Sequence, residues 1–332
     1  MRILFITDAW HPQVNGVVRT LLTTGRELEK MGHTVGFIGP DQFRTVGMPG
    51  YAEIKVAVRP RRRLEKLIME FRPEAIHIAT EGPLGWAGRA ICRKKGYVFT
   101  TSYHTSFPEY LAERLPVPLS LSYAVLRRFH RASAAVMVAT PTVARALTER
   151  GFANLKRWTR GVDTELFKPR SKDFIDAPRP ISICVGRVAV EKNIEAFLSL
   201  DIPGTKYVVG GGPMLETLRR RYPQVRFVGP RHGDELAAYF AAADVFVFPS
   251  RTDTFGLVIL EALASGVPVA AYPVQGPVDV IGNSDVGVLD EDLGSAVMRA
   301  LKIAPERCRD YALKHSWTAA AQQFLSNVQP CA

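Results

Sequence analysis

Residues 249–270 read PSRTDTFGLVILEALASGVPVA. A loop of Pro, Ser, Arg, Thr and Asp runs into an almost wholly apolar stretch, and Glu261 stands inside it among Val, Ile, Leu and Ala. The strand-like VFVFPS (245–250) comes immediately before, so the local order is strand, loop, helix. The spacing predicts a helix starting near Gly256, with Leu257, Leu260 and Ala264 at i, i+3 and i+7 on its apolar face. A helix N-terminus offers unpaired N–H groups and about half a positive charge, which suits phosphate. Glu261 lies about 7–8 Å further along the axis at ~1.5 Å per residue. Asp253 at the entrance and Glu261 inside would then grip two hydroxyl-bearing rings, with a diphosphate between them. In the plainer alternative Asp253 is an N-cap and Glu261 a solvated helix residue.

The same strand-to-helix grammar repeats on both sides. In the first half RILFIT (2–7), TVGFIG (34–39), AIHIAT (75–80), GYVFTTSYH (96–104) and AAVMVAT (134–140) read as strands, and 17–31 as an amphipathic helix. The second half restarts at PISICVG (180–186) and continues with KYVVGGG (206–212), VRFVG (225–229), VFVFPS and VPVAAY (267–272). Short, non-alternating apolar strands separated by helices imply parallel sheets covered on both faces. The Pro- and charge-rich DTELFKPRSKDFIDAPRP (163–180) reads as a linker. The expectation is α/β, with two doubly wound, Rossmann-like domains over 1–165 and 166–332, the last helix packing back on the first. In such sheets ligands sit at the carboxyl ends of the strands.

Composition sets bounds on function. The 332 residues are 47% hydrophobic and 23% charged, with no apolar run long enough for a membrane span and no secretory leader at MRILFITDAW. Four scattered cysteines fit a reduced, cytoplasmic setting without zinc. The net charge of +11 is uneven: residues 1–165 hold 25 Lys and Arg against 14 Asp and Glu, and the remainder holds 18 of each. A positive first half attracts phosphates of nucleic acid or of an anionic bilayer.

Several residues after strands could carry chemistry. Arg187 and Lys192, in GRVAVEKN, can clamp a diphosphate, the first by a bidentate contact and the second as a point charge. Gly16 in QVNGVVRT follows the first strand but lacks a G-x-G-x-x-G fingerprint. His104 ends a strand beside Tyr103 and Thr105. No nucleophile elbow, catalytic cysteine or zinc-spaced histidine cluster is present, and DED (290–292) reads as a solvated loop.

TDTFGLVILEALASGVPV resembles the carboxylate-x7-carboxylate signature of retaining glycosyltransferases of family 4, which have the GT-B fold. PQVNGVVRTL, SYHTSFPEY, RGVDTELFKP, VGRVAVEKNIE, GGGPM and ADVFVFPS agree in order and spacing over nearly the whole chain. Two departures stand out: most members carry Glu where Asp253 stands and an acidic residue where Gly211 stands. The resemblance implies that Glu261 binds the nucleotide ribose and Asp253 the donor sugar. It implies that the Thr254, Phe255, Gly256 and Leu257 segment, with Gly16, Gly211 and Gly212, contacts sugar and phosphate. Arg187 and Lys192 would stabilise the leaving diphosphate, and His104 would lie at the reacting sugar. The donor is a nucleotide sugar, and neither metal nor cofactor is expected.

The acceptor call rests on the basic half. RPRRRLEK (59–66) and YLAERLPVPLSLSYAVLRRFHR (110–131) mix arginines with Leu, Val, Tyr and Phe, a membrane-interfacial pattern. Arg61, Arg62, Arg63, Tyr103, Arg127 and Arg128 are assigned to acceptor or membrane, with Leu111, Leu115, Val117, Leu119 and Leu121 inserting. Family members make glycosyl diacylglycerols and mannosylated phosphatidylinositol, so the resemblance implies a lipid acceptor and a peripheral place on the inner membrane face. The alternatives are a GDP-mannose-dependent mannosyltransferase with another lipid or a soluble saccharide acceptor, and a sugar-nucleotide epimerase. A nucleic-acid partner is not expected, because such a protein would carry no sugar-nucleotide helix.

Overall fold

A computed structural model describes residues 1–13, 15–48, 51–104, 108, 117–253 and 255–331. It divides into two compact units, Met1–Arg160 with Trp317–Ala332, and Gly161–Ser316.

In the first unit β1 (Arg2–Ile6), β2 (Thr34–Ile38), β5 (Ala75–Ile78), β6 (Thr100–Tyr103), β7 (Ala135–Val138) and β8 (Leu155–Arg157) form one sheet in the order β2-β1-β5-β6-β7-β8. Every pairing in it is parallel. Ile3, Leu4, Phe5 and Ile6 are all buried, which is why β1 reads as a continuous apolar run: helices cover both faces. Those helices are α1 (Gly16–Lys30), α2 (Arg61–Phe71), α3 (Pro83–Lys95), α4 (Leu119–His130) and α5 (Pro141–Glu149). Local chemistry starts them. Asn15 Oδ1 accepts from the N–H groups of Val17 and Val18, both at 3.0 Å, and so caps α1. The Asp8 carboxylate does the same for α3, accepting from the N–H groups of Leu84 (2.8 Å) and Gly85 (3.1 Å). A hairpin of β3 (Thr45–Met48) and β4 (Tyr51–Ala57) stands apart from the sheet and was not anticipated.

The second unit repeats the plan with β9 (Ile181–Val185), β10 (Thr205–Val209), β11 (Arg226–Gly229), β12 (Val245–Phe248), β13 (Val269–Ala271) and β14 (Gly287–Leu289). Its helices are α6 (Ile194–Leu198), α7 (Leu215–Arg221), α8 (Gly233–Ala242), α9 (Leu257–Ala264), α10 (Gln275–Ile281), α11 (Leu293–Ala300) and α12 (Pro305–Leu313). The order β11-β10-β9-β12-β13-β14 is that of a doubly wound nucleotide-binding sheet. It reverses between β9 and β12, where a crevice opens beyond the strand ends. Phe197, Val208, Val245, Val247 and Val297 fill one side of this sheet.

Two expectations need correction. Residues 163–180 are not a loose linker but part of the second unit. Phe167 is buried edge-on against Phe240 at 5.8 Å, and Ile175 is buried too. Ion pairs of Arg170 with Asp234 (2.9 Å) and of Lys172 and Arg179 with Asp244 (2.5 and 3.0 Å) tie the polar remainder down. Two apolar side chains in a polar run suffice to hold it. The division itself falls at 160/161 rather than 165/166, while residues 317–332 join the first unit, as expected of the last helix. Helix α13 (Trp317–Asn327) buries Phe324 at 5.0 Å from Phe5, and Cys331 N–H bonds to the Glu74 carbonyl at 2.8 Å.

Candidate active site

The loops after β9 and β12 meet at the strand-order reversal of the second unit. Lys192 Nζ donates to Asp253 Oδ1 at 2.5 Å, so two residues 61 positions apart in sequence become one ion pair. Hydroxyls of Ser250 and Thr252 donate to the Glu191 carbonyl (3.4 and 3.2 Å), and Asn193 Nδ2 donates to the Pro249 carbonyl (3.1 Å). These bonds fix the Lys192 turn against the Asp253 loop. Asp253 Oδ2 is buried with no hydrogen-bond partner among the described residues. A carboxylate oxygen held dry without a donor calls for a hydroxyl from outside the chain.

Asp253 leads directly into α9. Gly256 has φ of 81°, and a Cβ there would stand 3.0 Å from both Ile259 Cδ1 and Phe248 Cζ, so only glycine fits this cap. Gly256 has no side chain to cap the helix, and no other cap is present among the described residues. Glu261 is 3% exposed, so the solvated alternative is excluded. The expected single apolar face is also wrong, because residues 259–264 are buried all round and α12 packs beside the helix. Among the described residues Glu261 Oε2 accepts no hydrogen bond, although the residue has other contacts. Phe255 is buried, Leu257 half-buried, and Thr254 lies outside the described residues.

Arg187 follows Gly186 at the end of β9, half-buried in the same loop as Lys192. The GGG turn braces this loop: Val188 N–H bonds to the Gly211 carbonyl (2.9 Å) and Met214 N–H to the Val188 carbonyl (3.1 Å). A Cβ at Gly210 would stand 1.8 Å from the Gly186 carbonyl oxygen, and one at Gly212 2.4 Å from that of Val188. At Gly211 the nearest atom would be Pro230 Cδ at 3.6 Å. Gly211→Asp should therefore leave the thermal midpoint nearly unchanged, whereas Gly210→Ala should cost about 3 kcal/mol. Denaturation of both variants checks this, and equal losses would refute it.

In the first unit His104 sits just beyond β6. Arg160, 4% exposed, donates to His104 Nδ1 at 3.0 Å, and Ser102 Oγ lies 2.8 Å from His104 Nε2. Burial, with Arg160 and His77 adding positive charge, holds the His104 pKa well below the usual imidazole range. Burial pushes the Arg160 pKa down to about 9. Arg160, Ser102 and His77 were missed as candidates. The quoted RGVDTELFKP contained the first of them, but nothing in its pattern signals a buried guanidinium. Gly16 is exposed at the first position of α1.

Residues 14–166 match the family model described as Glycosyltransferase Family 4, and residues 179–303 match Glycosyl transferases group 1. The chain is a glycosyltransferase. This glycosyltransferase is similar to the GDP-mannose-dependent alpha-mannosyltransferase of Mycobacterium tuberculosis, at 29% identity over 87% of this chain and 83% of that protein. It is similar to the alpha-monoglucosyldiacylglycerol synthase of Streptococcus pneumoniae, at 27% identity over 99% and 84%. The fold matches sucrose-phosphate synthase from Thermosynechococcus elongatus with a TM-score of 0.77, at 22% identity over 98% of this chain and 97% of that one. The glycosyltransferase thus has two Rossmann-like GT-B domains and uses a nucleotide sugar as donor.

Arg61, Arg62 and Arg63 form the exposed first turn of α2, and Arg127 and Arg128 are exposed in the last turn of α4. Tyr103 does not belong with them. It is 3% exposed in a core cluster with Tyr123, Leu126, Val138 and Phe152, because β6 turns its side chain inward toward α4 and α5. Of the apolar residues expected to insert, Leu119 and Leu121 are exposed, while Leu111 and Leu115 lie outside the described residues. No helix among the described residues is long and apolar enough to cross a membrane.

Proposed function

We propose that the enzyme is a retaining, metal-independent hexosyltransferase. It moves a hexose or uronic acid from a nucleotide sugar to a lipid acceptor such as diacylglycerol, at the inner face of the membrane. The observation that carries the donor half is Asp253. One oxygen is held by Lys192, the other is buried without a donor among the described residues, and both stand just ahead of the α9 N-terminus.

Binding places the diphosphate against the α9 N-terminus, Arg187 and Lys192, the sugar hydroxyls on Asp253 and the ribose on Glu261. The bond from the anomeric carbon to the diphosphate oxygen breaks as charge builds on that oxygen. Arg187, Lys192 and the helix end stabilise the charge electrostatically. The acceptor hydroxyl bonds to the anomeric carbon from the same face, and its proton passes to the leaving phosphate.

The lipid acceptor is supported by the first unit. Three arginines at the N-terminus of α2 oppose its dipole, an arrangement that helix stability disfavours. Helix α4 leaves Leu119, Leu121 and Val125 43–57% exposed ahead of Arg127 and Arg128. A basic, apolar helix surface is what an anionic bilayer holds. A GDP-mannose donor is the second reading, favoured by the mannosyltransferase likeness, with another lipid or a soluble saccharide as acceptor.

Offering UDP-glucose, UDP-glucuronate, UDP-galactose and GDP-mannose, each with diacylglycerol vesicles and with a soluble saccharide, decides between them. We expect transfer to diacylglycerol and salt-sensitive sedimentation with anionic vesicles. Arg61, Arg62 and Arg63 replaced by serine should weaken that binding by about 1 kcal/mol per residue and spare donor hydrolysis. Equal binding to neutral and anionic vesicles, with transfer only to the saccharide, would overturn the lipid assignment.

A further inference from the structure

A line of hydrogen bonds crosses the carboxyl end of the first unit's sheet. His77 Nδ1 meets Thr100 Oγ1 at 2.9 Å, and His77 Nε2 meets Ser102 Oγ at 3.1 Å. Ser102 Oγ also meets His104 Nε2 at 2.8 Å, and His104 Nδ1 meets Arg160 at 3.0 Å. A guanidinium only donates. Nδ1 of His104 must therefore offer a lone pair, which puts the ring proton on Nε2, where it donates to Ser102 Oγ. Ser102 passes its own proton on, with the Ala79 carbonyl at 3.3 Å and His77 Nε2 both in reach.

Arg160 itself is rigidly placed. It donates to the carbonyls of Trp158 (2.5 Å) and Thr159 (3.0 Å), and its guanidinium lies 4.4 Å over the Trp158 ring. No carboxylate pairs with it among the described residues, although it is 4% exposed. A buried cation with no carboxylate partner among the described residues is costly to a fold, so packing alone does not account for it.

We propose that Arg160 is a positioning residue for glycosyl transfer: by occupying Nδ1 it holds His104 as the neutral imidazole whose only proton, on Nε2, is available to donate. The proposal rests on the reading that His104 lies at the reacting sugar. Ser102 is then the resting acceptor, and a sugar oxygen takes its place when donor binds. His104 acts as a donor and never as the base, because a second proton would set an imidazolium against Arg160 and beside His77. Lysine cannot substitute, since one ammonium cannot span two carbonyls and a ring nitrogen in a plane.

Ring-15N NMR of histidine-labelled enzyme tests this directly, with the His104 signal among the seven histidines assigned by its loss in His104→Gln. In the parent, His104 should show Nδ1 unprotonated and Nε2 protonated, without titrating between pH 8 and pH 5. In Arg160→Met it should titrate or populate the other tautomer, while kcat falls on the order of 10- to 100-fold and donor KM stays the same. Thermal unfolding and the shifts of the other first-unit histidines check that the variant's first unit is folded, and Arg160→Lys, should the methionine variant not fold, is expected to show the same shifts more weakly. An unchanged His104 spectrum, or a changed spectrum with full kcat, overturns the proposal. Full activity in His104→Ala overturns the site reading beneath it. An impaired His104→Ala beside a fully active Arg160→Met overturns the proposal alone.

Discussion

Lys192→Met is expected to lower kcat for transfer by about 100- to 1,000-fold while changing donor KM far less. In the proposed mechanism the ground-state diphosphate is already held by the α9 N-terminus and Arg187. Lys192 gains most as the bond to the anomeric carbon breaks and negative charge concentrates on the departing oxygen. Deleting one such electrostatic contact costs about 2.7–4 kcal/mol of transition-state stabilisation. The fold should lose little, because the pair with Asp253 is partly exposed, at 27% and 16%, and pairs of that kind are worth about 1 kcal/mol or less. The parent should keep turning over in excess EDTA, since in the proposed mechanism this lysine fills the place of a divalent ion. Steady-state kinetics with and without chelator measures both. A variant within threefold of the parent, or a parent silenced by EDTA and revived by magnesium, would remove Lys192 from the mechanism.

Glu261→Ala should separate stability from binding in opposite directions. Two ribose hydroxyls lose a charged acceptor worth about 1.5–3 kcal/mol per bond, so nucleotide affinity should fall at least tenfold. Yet the ligand-free protein should be no less stable. The side chain is 3% exposed among apolar residues, and its Oε2 accepts no hydrogen bond among the described residues, so the free protein bears a cost for burying that oxygen which alanine removes. Alanine is also the best helix former. Calorimetric titration with UDP and GDP, beside thermal unfolding without ligand, reads both quantities. A destabilised variant that binds nucleotide as well as the parent would make Glu261 a structural residue.

The two sheets were readable because each central strand is a short run of residues such as ILFI or VFVF, apolar on both faces, which only a covered parallel sheet demands. Glu261 was readable for the opposite reason, as one charge in an apolar run. The three-residue strands β8 and β14 were not: edge strands that short carry too few side chains to show a period. Tyr103 failed because its neighbours His104 and Thr105 suggested a surface, whereas strand geometry turns alternate side chains to opposite faces. Arg160 failed more deeply. Its partner His104 is 56 residues away, and burial of an arginine is a property of packing that no local pattern reports. The Lys192–Asp253 pair shows a middle case. Both residues were chosen from their loops, but their contact follows from β9 and β12 being neighbours, and strand order is not written in either loop.

Helix α13 and the strand-like bridge of Pro330 with Ala75 complete the first unit with residues made after the whole of the second. Phe324 is stacked on Phe5, yet 318 intervening residues separate them on the chain. On a ribosome, the first domain to emerge is thus the last to be finished. Its sheet must wait with the Phe5 and His77 surface uncovered while the second domain, contiguous in sequence, folds alone. Losing the final sixteen residues would injure the half that is translated first.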